Sequence, residues 1–466
     1  MLRIAGNLHF LALALTLVAA PPVRAAQNTL PTPAKAAGPE LQGGARDLHT
    51  NFYVSLPVTR RPFPEPLAPG QQPGFKVRGI KGWAWTPEQY LAEIPYLVRF
   101  KMNFLMNCYS SLFDLEHHPH PPKDTLANRW WEDLPDAKKR AYEKVVHECQ
   151  RQGIQFCFSM NPNLHSQRMV NDGSPESFEQ LYKHYAWMQG LGVKWFNLSL
   201  DDATQGVNAS SQARVANELF HRLRVKDPSA QMIFCPTWYW GDGTGTKQKP
   251  YLETLARELD PDMYLFWTGT SDVCKVTRRD AETYRRICGH RLFLWDNYPV
   301  NDGRPTMHLG PVVDRDPDLC DVIDGYISNP LHTQNQINRL PLATCADYAY
   351  NPRAYDPARS IGQAILLLAA TQAQRETLRD LVETYPGMLI CSNDSKYRTS
   401  FNPVRFQFQR VLGQPNSRQE SLGYVEHLQA ISDRFKQEFP GAYGPAKETI
   451  DDDIAWLLQQ LAAKYP

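Results

Sequence analysis

Eight short apolar segments alternate with segments of helical period along the middle of this 466-residue chain. The apolar segments lie at 75–83, 103–109, 155–162, 195–202, 231–237, 263–269, 291–299 and 324–330. The segments of helical period between them include 87–99, 135–152, 174–191, 211–226 and 280–288. Eight strand–helix units over roughly 260 residues are typical of a (β/α)8 barrel. The predicted fold class is therefore α/β, a (β/α)8 TIM-like barrel.

The remaining sequence divides into three other regions. Residues 1–25 combine Arg3, an apolar stretch and small residues before Ala26, which predicts a cleavable signal peptide and a secreted or periplasmic protein with no membrane span after cleavage. Residues 26–74 are rich in Pro and Gly and predict a linker or arm. The barrel is expected over 75–357, and helical periodicity predicts a helical C-terminal domain over 358–466.

Charge and cysteine content exclude several classes of function. Lys and Arg number 50 and Asp and Glu 49, a balance that does not indicate a nucleic-acid partner. The nine cysteines lack metal-type spacing, and the histidine-rich stretch 117–120 is interpreted as part of a Pro-rich solvated insertion. We expect no metal and no cofactor, and the sequence leaves disulfide pairing and oligomeric state open.

Two adjacent carboxylates, Asp201 and Asp202, follow the fourth predicted strand. The carboxyl ends of the strands carry the active site in this fold. Two carboxylates that lie a few ångströms apart repel each other, which raises the pKa of at least one of them and provides a proton donor beside an ionised partner. The pair therefore indicates acid/base catalysis, although a capping or loop role is the alternative for such a pair.

Other strand ends supply hydrogen-bonding and aromatic groups. They are Tyr239, Trp267, Trp295, Asn297, Asp302 and Asn329. Flat apolar faces beside directional polar groups suit a sugar, and no Ser/His nucleophile or phosphate-binding loop accompanies them. Trp267 fits a core aromatic equally well.

Glycoside hydrolysis ordinarily uses two separated carboxylates on either side of the scissile bond. Adjacent residues cannot easily be placed in this way. The pattern therefore favours a substrate-assisted route, in which a 2-acetamido oxygen attacks the anomeric carbon, one Asp orients the acetamido N–H and the other protonates the leaving oxygen.

Several motifs resemble glycoside hydrolase family 84, the retaining β-N-acetylglucosaminidases that include O-GlcNAcases and hyaluronidase-like proteins. The similarity extends from about 79 to 357. The matching motifs are Leu200-Asp201-Asp202, Phe234-Cys235-Pro236-Thr237 with Tyr239 and Gly241, Phe266-Trp267-Thr268-Gly269, 295–302 and Ser328-Asn329-Pro330.

The resemblance implies specific roles for these residues. Asp201 resembles the residue that polarises the acetamido group, and Asp202 resembles the general acid/base. Tyr239 and Asn297 would hold the acetamido group, while Trp295 would form a wall of its pocket. The implied substrate is a glycan or glycoconjugate that contains N-acetylglucosamine.

The resemblance also assigns Asp302 and Asn329 to the sugar hydroxyls, whereas the first two strands depart from the family pattern. The family's Glu-Gly-Phe-Tyr-Gly is replaced by residues 81–85, although Gly79 can still allow close approach of the backbone to the sugar. A sugar-binding lysine is matched by Lys123, which extra residues separate from the second strand.

These departures leave a second function open. The alternative is a glycan-binding or divergent amino-sugar-acting barrel that lacks ordinary N-acetylglucosaminidase activity. Retention of both aspartates favours the enzyme, because a binding protein does not require a proton donor.

Overall fold

A computed structural model describes residues 60–112, 128–203, 205–332, 334–387 and 399–466. Eight parallel strands close into a barrel in which neighbouring strands follow chain order and β1 pairs with β8. The strands are β1 Val77–Gly82, β2 Phe104–Asn107, β3 Gln155–Met160, β4 Trp195–Ser199, β5 Gln231–Cys235, β6 Tyr264–Trp267, β7 Arg291–Pro299 and β8 Gly325–Asn329. Each lies within one of the eight predicted segments, so the predicted fold class is confirmed.

Twelve α-helices are present in the part of the chain that the structure describes. They are α1 Pro87–Arg99, α2 Asp136–Arg151, α3 Pro175–Gly190, α4 Ala209–Lys226, α5 Gln248–Glu258, α6 Arg278–Cys288, α7 Asn335–Tyr350, α8 Pro357–Leu368, α9 Gln372–Thr384, α10 Pro403–Leu412, α11 Arg418–Glu438 and α12 Gly444–Lys464. Local signals set several boundaries: Thr86 forms a capping box at the start of α1, and Asn208 caps α4.

The side chains of each strand divide into two layers because successive residues of a strand point to opposite faces. One apolar cluster fills the barrel interior and includes Phe104, Ile233, Phe293 and Ile327. A second, larger cluster packs the outside of the strands against the helices. Residues that continue the inward alternation past a strand's end therefore reach the mouth of the barrel.

Gly79 lies in the barrel wall, below the mouth. It pairs with Phe104 on β2, and an added Cβ would approach the Phe104 carbonyl oxygen to 2.0 Å. The close packing of β1 against β2 therefore requires glycine here. Lys81, two residues further along β1, lies on the same inward face and closer to the mouth.

The last helices pack together around a buried carboxylate on α12. Asp453 is fully buried and accepts hydrogen bonds from Arg405 Nε at 2.6 Å and from the Tyr385 hydroxyl at 2.9 Å. Gln334, just after β8, donates to Thr449 Oγ1 on α12 at 2.8 Å. The C-terminal helices are therefore attached to the rim of the barrel.

The described part of the predicted arm, residues 60–74, contacts the barrel and helix α8. Arg60 donates to the Leu366 carbonyl at 3.0 Å, and the Glu65 N–H donates to Asp347 Oδ1 at 2.6 Å. The proposed signal peptide, the rest of the arm and the histidine-rich stretch 117–120 lie outside the described residues.

Within the described ranges, no helix combines the length and the apolar character needed to cross a bilayer.

Candidate functional site

The mouth of the barrel gathers polar side chains from most of the strands. The inward alternation continues from Asn197 and Ser199 on β4 to Asp201, and from Ser159 on β3 to Asn161. The same alternation brings Asn297 on β7 and Asn329 on β8 to this end. Polar groups from separate strands therefore converge where (β/α)8 barrels carry their active sites.

Asp201 is a buried carboxylate held by two neighbours. The Tyr109 hydroxyl donates to Asp201 Oδ2 at 2.6 Å, and Asn161 Nδ2 donates to Asp201 Oδ1 at 3.1 Å and to its backbone oxygen at 2.9 Å. Burial, with a further contribution from Asp201, raises the pKa of Tyr109 well above its ordinary value, so the phenol remains a donor. The orientation of Asp201 is therefore fixed from both sides.

Asp202 reaches the same mouth because the chain leaves the strand conformation. Its φ of 55° lies in the left-handed region, which aspartate adopts more readily than most residues. The residue is exposed at the mouth, and Tyr239 donates to its Oδ1 at 3.4 Å. Two consecutive carboxylates therefore lie at the mouth of the barrel.

The environment of Asp202 favours its protonated form. Loss of hydration in the concave mouth raises its pKa to about 7, and the charges of Asp201 and Asp272 add to the rise. The charge of Lys81 and the hydrogen bond from Tyr239 oppose it. Asp202 can therefore gain or lose a proton near neutral pH.

Three aromatic rings form one wall of the mouth. The Trp295 ring lies 5.9 Å from Tyr239 and 5.3 Å from Phe266, measured between centroids. Trp295 is 3% exposed, and its buried Nε1 has no hydrogen-bond partner within the described ranges. The wall therefore offers a flat apolar surface with one unused donor.

A chain of amides forms the adjoining side. Asn329 Nδ2 donates to Asn297 Oδ1 at 2.9 Å, and Asn297 Nδ2 donates to the Asp272 carbonyl at 2.8 Å. Asn329 Oδ1 is buried and accepts no hydrogen bond from the residues that the structure describes. An acceptor for a ligand hydroxyl is therefore available here.

Asp302 follows β7 and contacts the C-terminal region. Its φ is 48°, and its Oδ2 accepts a hydrogen bond from Thr399 Oγ1, 97 residues later in the chain. A segment beyond the barrel therefore orients this carboxylate.

Lys81 contributes a buried cation. Its side chain points inward from β1, and the residue is 1% exposed. The ammonium nitrogen lies 3.8 Å from the Trp295 ring centroid and 4.4 Å from that of Tyr109. A positive charge therefore lies among the aromatic groups of the site.

Comparison with known proteins identifies the family. The model of the family described as beta-N-acetylglucosaminidase (NAGidase) matches residues 77–383, more than half of the chain. The chain belongs to this family. The resemblance to glycoside hydrolase family 84 is confirmed.

Individual relatives of this β-N-acetylglucosaminidase family member are distant. The protein O-GlcNAcases of Rattus norvegicus and Mus musculus are each 23% identical over 288 residues, a match that covers 58% of this chain and 29% of each relative. The chain thus spans less than a third of the length of these curated relatives.

Two solved structures share the fold at 21% identity. An O-GlcNAc hydrolase of Thermobaculum terrenum superposes with a TM-score of 0.67 over 83% of this chain and 84% of its own. The structure named CpGH84B superposes with a TM-score of 0.65 over 84% of this chain and 68% of its own.

Most of the predicted site residues of this family member lie together at the mouth. They are Asp201, Asp202, Tyr239, Trp295, Asn297, Asp302 and Asn329. Gly79 lies in the barrel wall below the mouth, and Lys123 lies outside the described residues. Their predicted roles in binding stay predictions.

Trp267 does not line the mouth. It is fully buried in the outer core, its ring centroid lies 5.8 Å from that of Tyr284, and its Nε1 donates to the Gly241 carbonyl at 2.9 Å. Phe266 takes the inward position on β6, so the strand alternation places Trp267 outside. Trp267 is therefore the core aromatic that the sequence left as an alternative.

The structure adds Tyr109, Asn161 and Lys81 to the candidate site. Tyr109 and Asn161 are polar residues at the ends of predicted strand segments, a signal that could have found them. Lys81 alternates inward with Gly79 along β1, so the period of the strand could have indicated its direction.

Proposed function

We propose that this protein removes terminal β-linked N-acetylglucosamine from a glycan or glycoconjugate, with retention of configuration and substrate-assisted catalysis. The observation that carries the proposal is the pairing of unlike carboxylates at the mouth. Asp201 is fixed by Tyr109 and Asn161, whereas the neighbouring Asp202 has a pKa of about 7. Family membership supports the class of substrate.

Asp201 is assigned to the acetamido N–H. A fixed carboxylate that accepts this hydrogen bond increases the electron density on the acyl oxygen, which attacks the anomeric carbon as the glycosidic bond breaks. The resulting oxazolinium ion carries positive charge beside Asp201, and the charge of the carboxylate stabilises it.

Asp202 is assigned to proton transfer. In the first step its protonated carboxyl gives the proton to the leaving oxygen. In the second step the carboxylate removes a proton from water, which attacks the anomeric carbon and reopens the oxazoline. A pKa near the working pH suits a group that must act in both directions.

The remaining groups are assigned to binding. Tyr239 and Trp295 lie next to Asp202 and would surround the acyl group. Asn297, Asn329 and Asp302 supply amide and carboxylate groups for ring hydroxyls.

The test is hydrolysis of 4-nitrophenyl N-acetyl-β-D-glucosaminide by the purified protein. Asp202→Asn preserves size and tolerates the same backbone conformation, and we expect kcat/KM to fall about 100- to 10,000-fold. A variant as active as the wild type, or a wild-type protein that binds the sugar without cleaving it, would contradict the proposal.

Two further measurements test the mechanism. The 4-nitrophenyl β-D-glucoside lacks the acyl nucleophile, and we expect the wild type to leave it intact. Proton NMR early in the reaction should show the β anomer of the free sugar as the first product. Rapid glucoside cleavage or an α product would exclude the substrate-assisted retaining route.

We also propose that the protein is exported and cleaved after Ala25. The proposal is supported by the charged leader, apolar stretch and small residues of the N-terminal sequence. Expression of the full chain should give extracellular or periplasmic protein whose first residue is Ala26. Uncleaved protein confined to the cytoplasm would contradict this localisation.

A further inference from the structure

Lys81 is a buried cation that the proposed mechanism does not use. Its ammonium lies near three aromatic rings, with distances to the centroids of 3.8 Å for Trp295, 4.4 Å for Tyr109 and 5.2 Å for Trp83. No hydrogen bond or ion pair joins it to another residue within the described ranges. Its three N–H donors therefore lack acceptors there.

The aromatic rings attract the charge without replacing hydrogen bonds. A cation over a ring face is held by the ring quadrupole, whereas an ammonium removed from water also requires oxygen acceptors for its N–H groups. Asp202 experiences the charge of Lys81, yet no ion pair joins the two side chains. A bound ligand with a suitable oxygen would complete the environment of the ammonium.

The position of Lys81 specifies which part of the ligand supplies that oxygen. The ammonium lies by the ring of Trp295, in the wall assigned above to the acyl group. The residue lies within β1 and is 1% exposed, so its ammonium approaches this wall from inside the barrel. The cation is therefore located on the inner side of the acyl site.

A plain acetyl group offers the ammonium no acceptor beyond its carbonyl oxygen. Its methyl cannot accept a hydrogen bond from the N–H donors, whereas a hydroxyl at the same carbon can accept one. An acyl group with one additional oxygen therefore fits both the aromatic wall and the charge.

We propose that Lys81 is a specificity-determining residue that binds the 2-acyl group of the substrate, and that the site prefers an acyl group with an oxygen beyond the carbonyl, such as N-glycolyl, over N-acetyl. The inference rests on the proposed function for its placement of the acyl group. It adds the chemical class of that group.

The first experiment measures binding without bond cleavage. Isothermal titration calorimetry compares N-glycolylglucosamine with N-acetylglucosamine on the wild type, on Lys81→Met and on Lys144→Met. Methionine removes the charge and retains an extended side chain against the rings, and Lys144 is an exposed residue of α2 that serves as the matched control. We expect about tenfold or tighter binding of the glycolyl sugar by the wild type and the control, since a charged hydrogen bond discriminates at this level. Lys81→Met should lose the preference.

The second experiment compares kcat/KM for the two 4-nitrophenyl β-glycosides. The glycolyl-to-acetyl ratio should fall by about tenfold in Lys81→Met and stay unchanged in Lys144→Met. A wild type that binds or cleaves the acetyl compound equally well would overturn the inference, and this comparison does not depend on the variant's folding. An equal loss for both compounds in a folded Lys81→Met protein would also overturn it, because Lys81 would then act elsewhere.

The two proposals fail in different ways. A protein that binds the glycolyl sugar preferentially but cleaves neither glycoside contradicts the proposed function and supports the role of Lys81. A protein that cleaves both glycosides with equal efficiency supports the proposed function and contradicts the role of Lys81.

Discussion

The hydroxyl of Tyr109 should be required for full activity, although it is assigned no contact with the substrate. It donates to Asp201 Oδ2 at 2.6 Å, a distance typical of a hydrogen bond to an ionised carboxylate. Tyr109→Phe removes this bond and retains the ring beside Lys81. The substitution therefore tests the support of Asp201 without removing the aromatic contact of the cation.

The expected magnitude follows from the strength of this bond. Hydrogen bonds to charged groups contribute about 1.5–3 kcal/mol, and every 1.4 kcal/mol corresponds to a tenfold change. If the carboxylate must keep its orientation and charge in the transition state, kcat/KM falls by about 10- to 150-fold. The remaining hydrogen bonds from Asn161 prevent a larger loss.

The assay is hydrolysis of the 4-nitrophenyl N-acetylglucosaminide, with Tyr185→Phe as the matched control. Tyr185 is also fully buried and donates to the Asn197 carbonyl at 2.7 Å, but it lies in the outer core. We expect this control to lose about 1 kcal/mol of stability and to keep its kcat/KM.

Two results would refute the reasoning about Tyr109. One is a Tyr109→Phe protein within twofold of the wild type in kcat/KM. The other is an equal loss of activity in both variants, since a general effect of removing a buried hydroxyl would then account for the change.

Further predictions concern pH and a buried ion pair. Because Asp202 acts as a proton donor with a pKa of about 7, kcat/KM should decline above pH 7; a profile that is flat to pH 9 in wild-type protein excludes this role. The raised pKa of Asp202 means that the folded protein disfavours the ionised carboxylate, so the wild type loses stability as pH rises from about 4 through 7. The melting temperature of Asp202→Asn minus that of the wild type should therefore be larger at pH 8 than at pH 4. An equal difference at the two pH values contradicts the raised pKa. Arg315 pairs with fully buried Asp296 at 2.5 Å, and Arg315→Met should reduce the free energy of unfolding in urea by about 3–5 kcal/mol; a loss below 1 kcal/mol indicates that another group compensates the carboxylate.

The barrel was predictable because its signal is repeated eight times. Each strand lies within a short apolar segment, and most helices between the strands are amphipathic. This pattern identifies a helix even when its predicted ends are wrong by a few residues. Helix α7 was not predicted: it is buried on nearly all sides and contains Pro341, so it lacks the amphipathic pattern from which helices were read. The predicted helical region 358–466 was not divided into its members, although Thr371 begins α9 with a capping box.

The strand alternation accounts for part of the candidate site. Asp201, Asn297 and Asn329 reach the mouth by this rule. The hydrogen bond from Thr399 to Asp302 could not be predicted, because it joins segments 97 residues apart and no local pattern encodes such a contact.

The contacts made by residues outside the strands could not be predicted either. Tyr109 lies in the turn after β2, where its partner Asp201 is 92 residues distant along the chain. Asp202 faces the mouth through a left-handed backbone conformation that departs from the alternation of the strand. Both depend on the folded arrangement of several segments.

The inward alternation of the strands also limits how this protein can be altered. Deletion of Trp195 at the start of β4 would place Phe196 and Leu198 on the inner face instead of Asn197 and Ser199, and would turn Asp201 outward. Variation in chain length is therefore confined to the loops, whereas the strands accept change only by substitution. A library intended to alter substrate preference should keep every strand at its present length and randomise only the inward positions nearest the mouth.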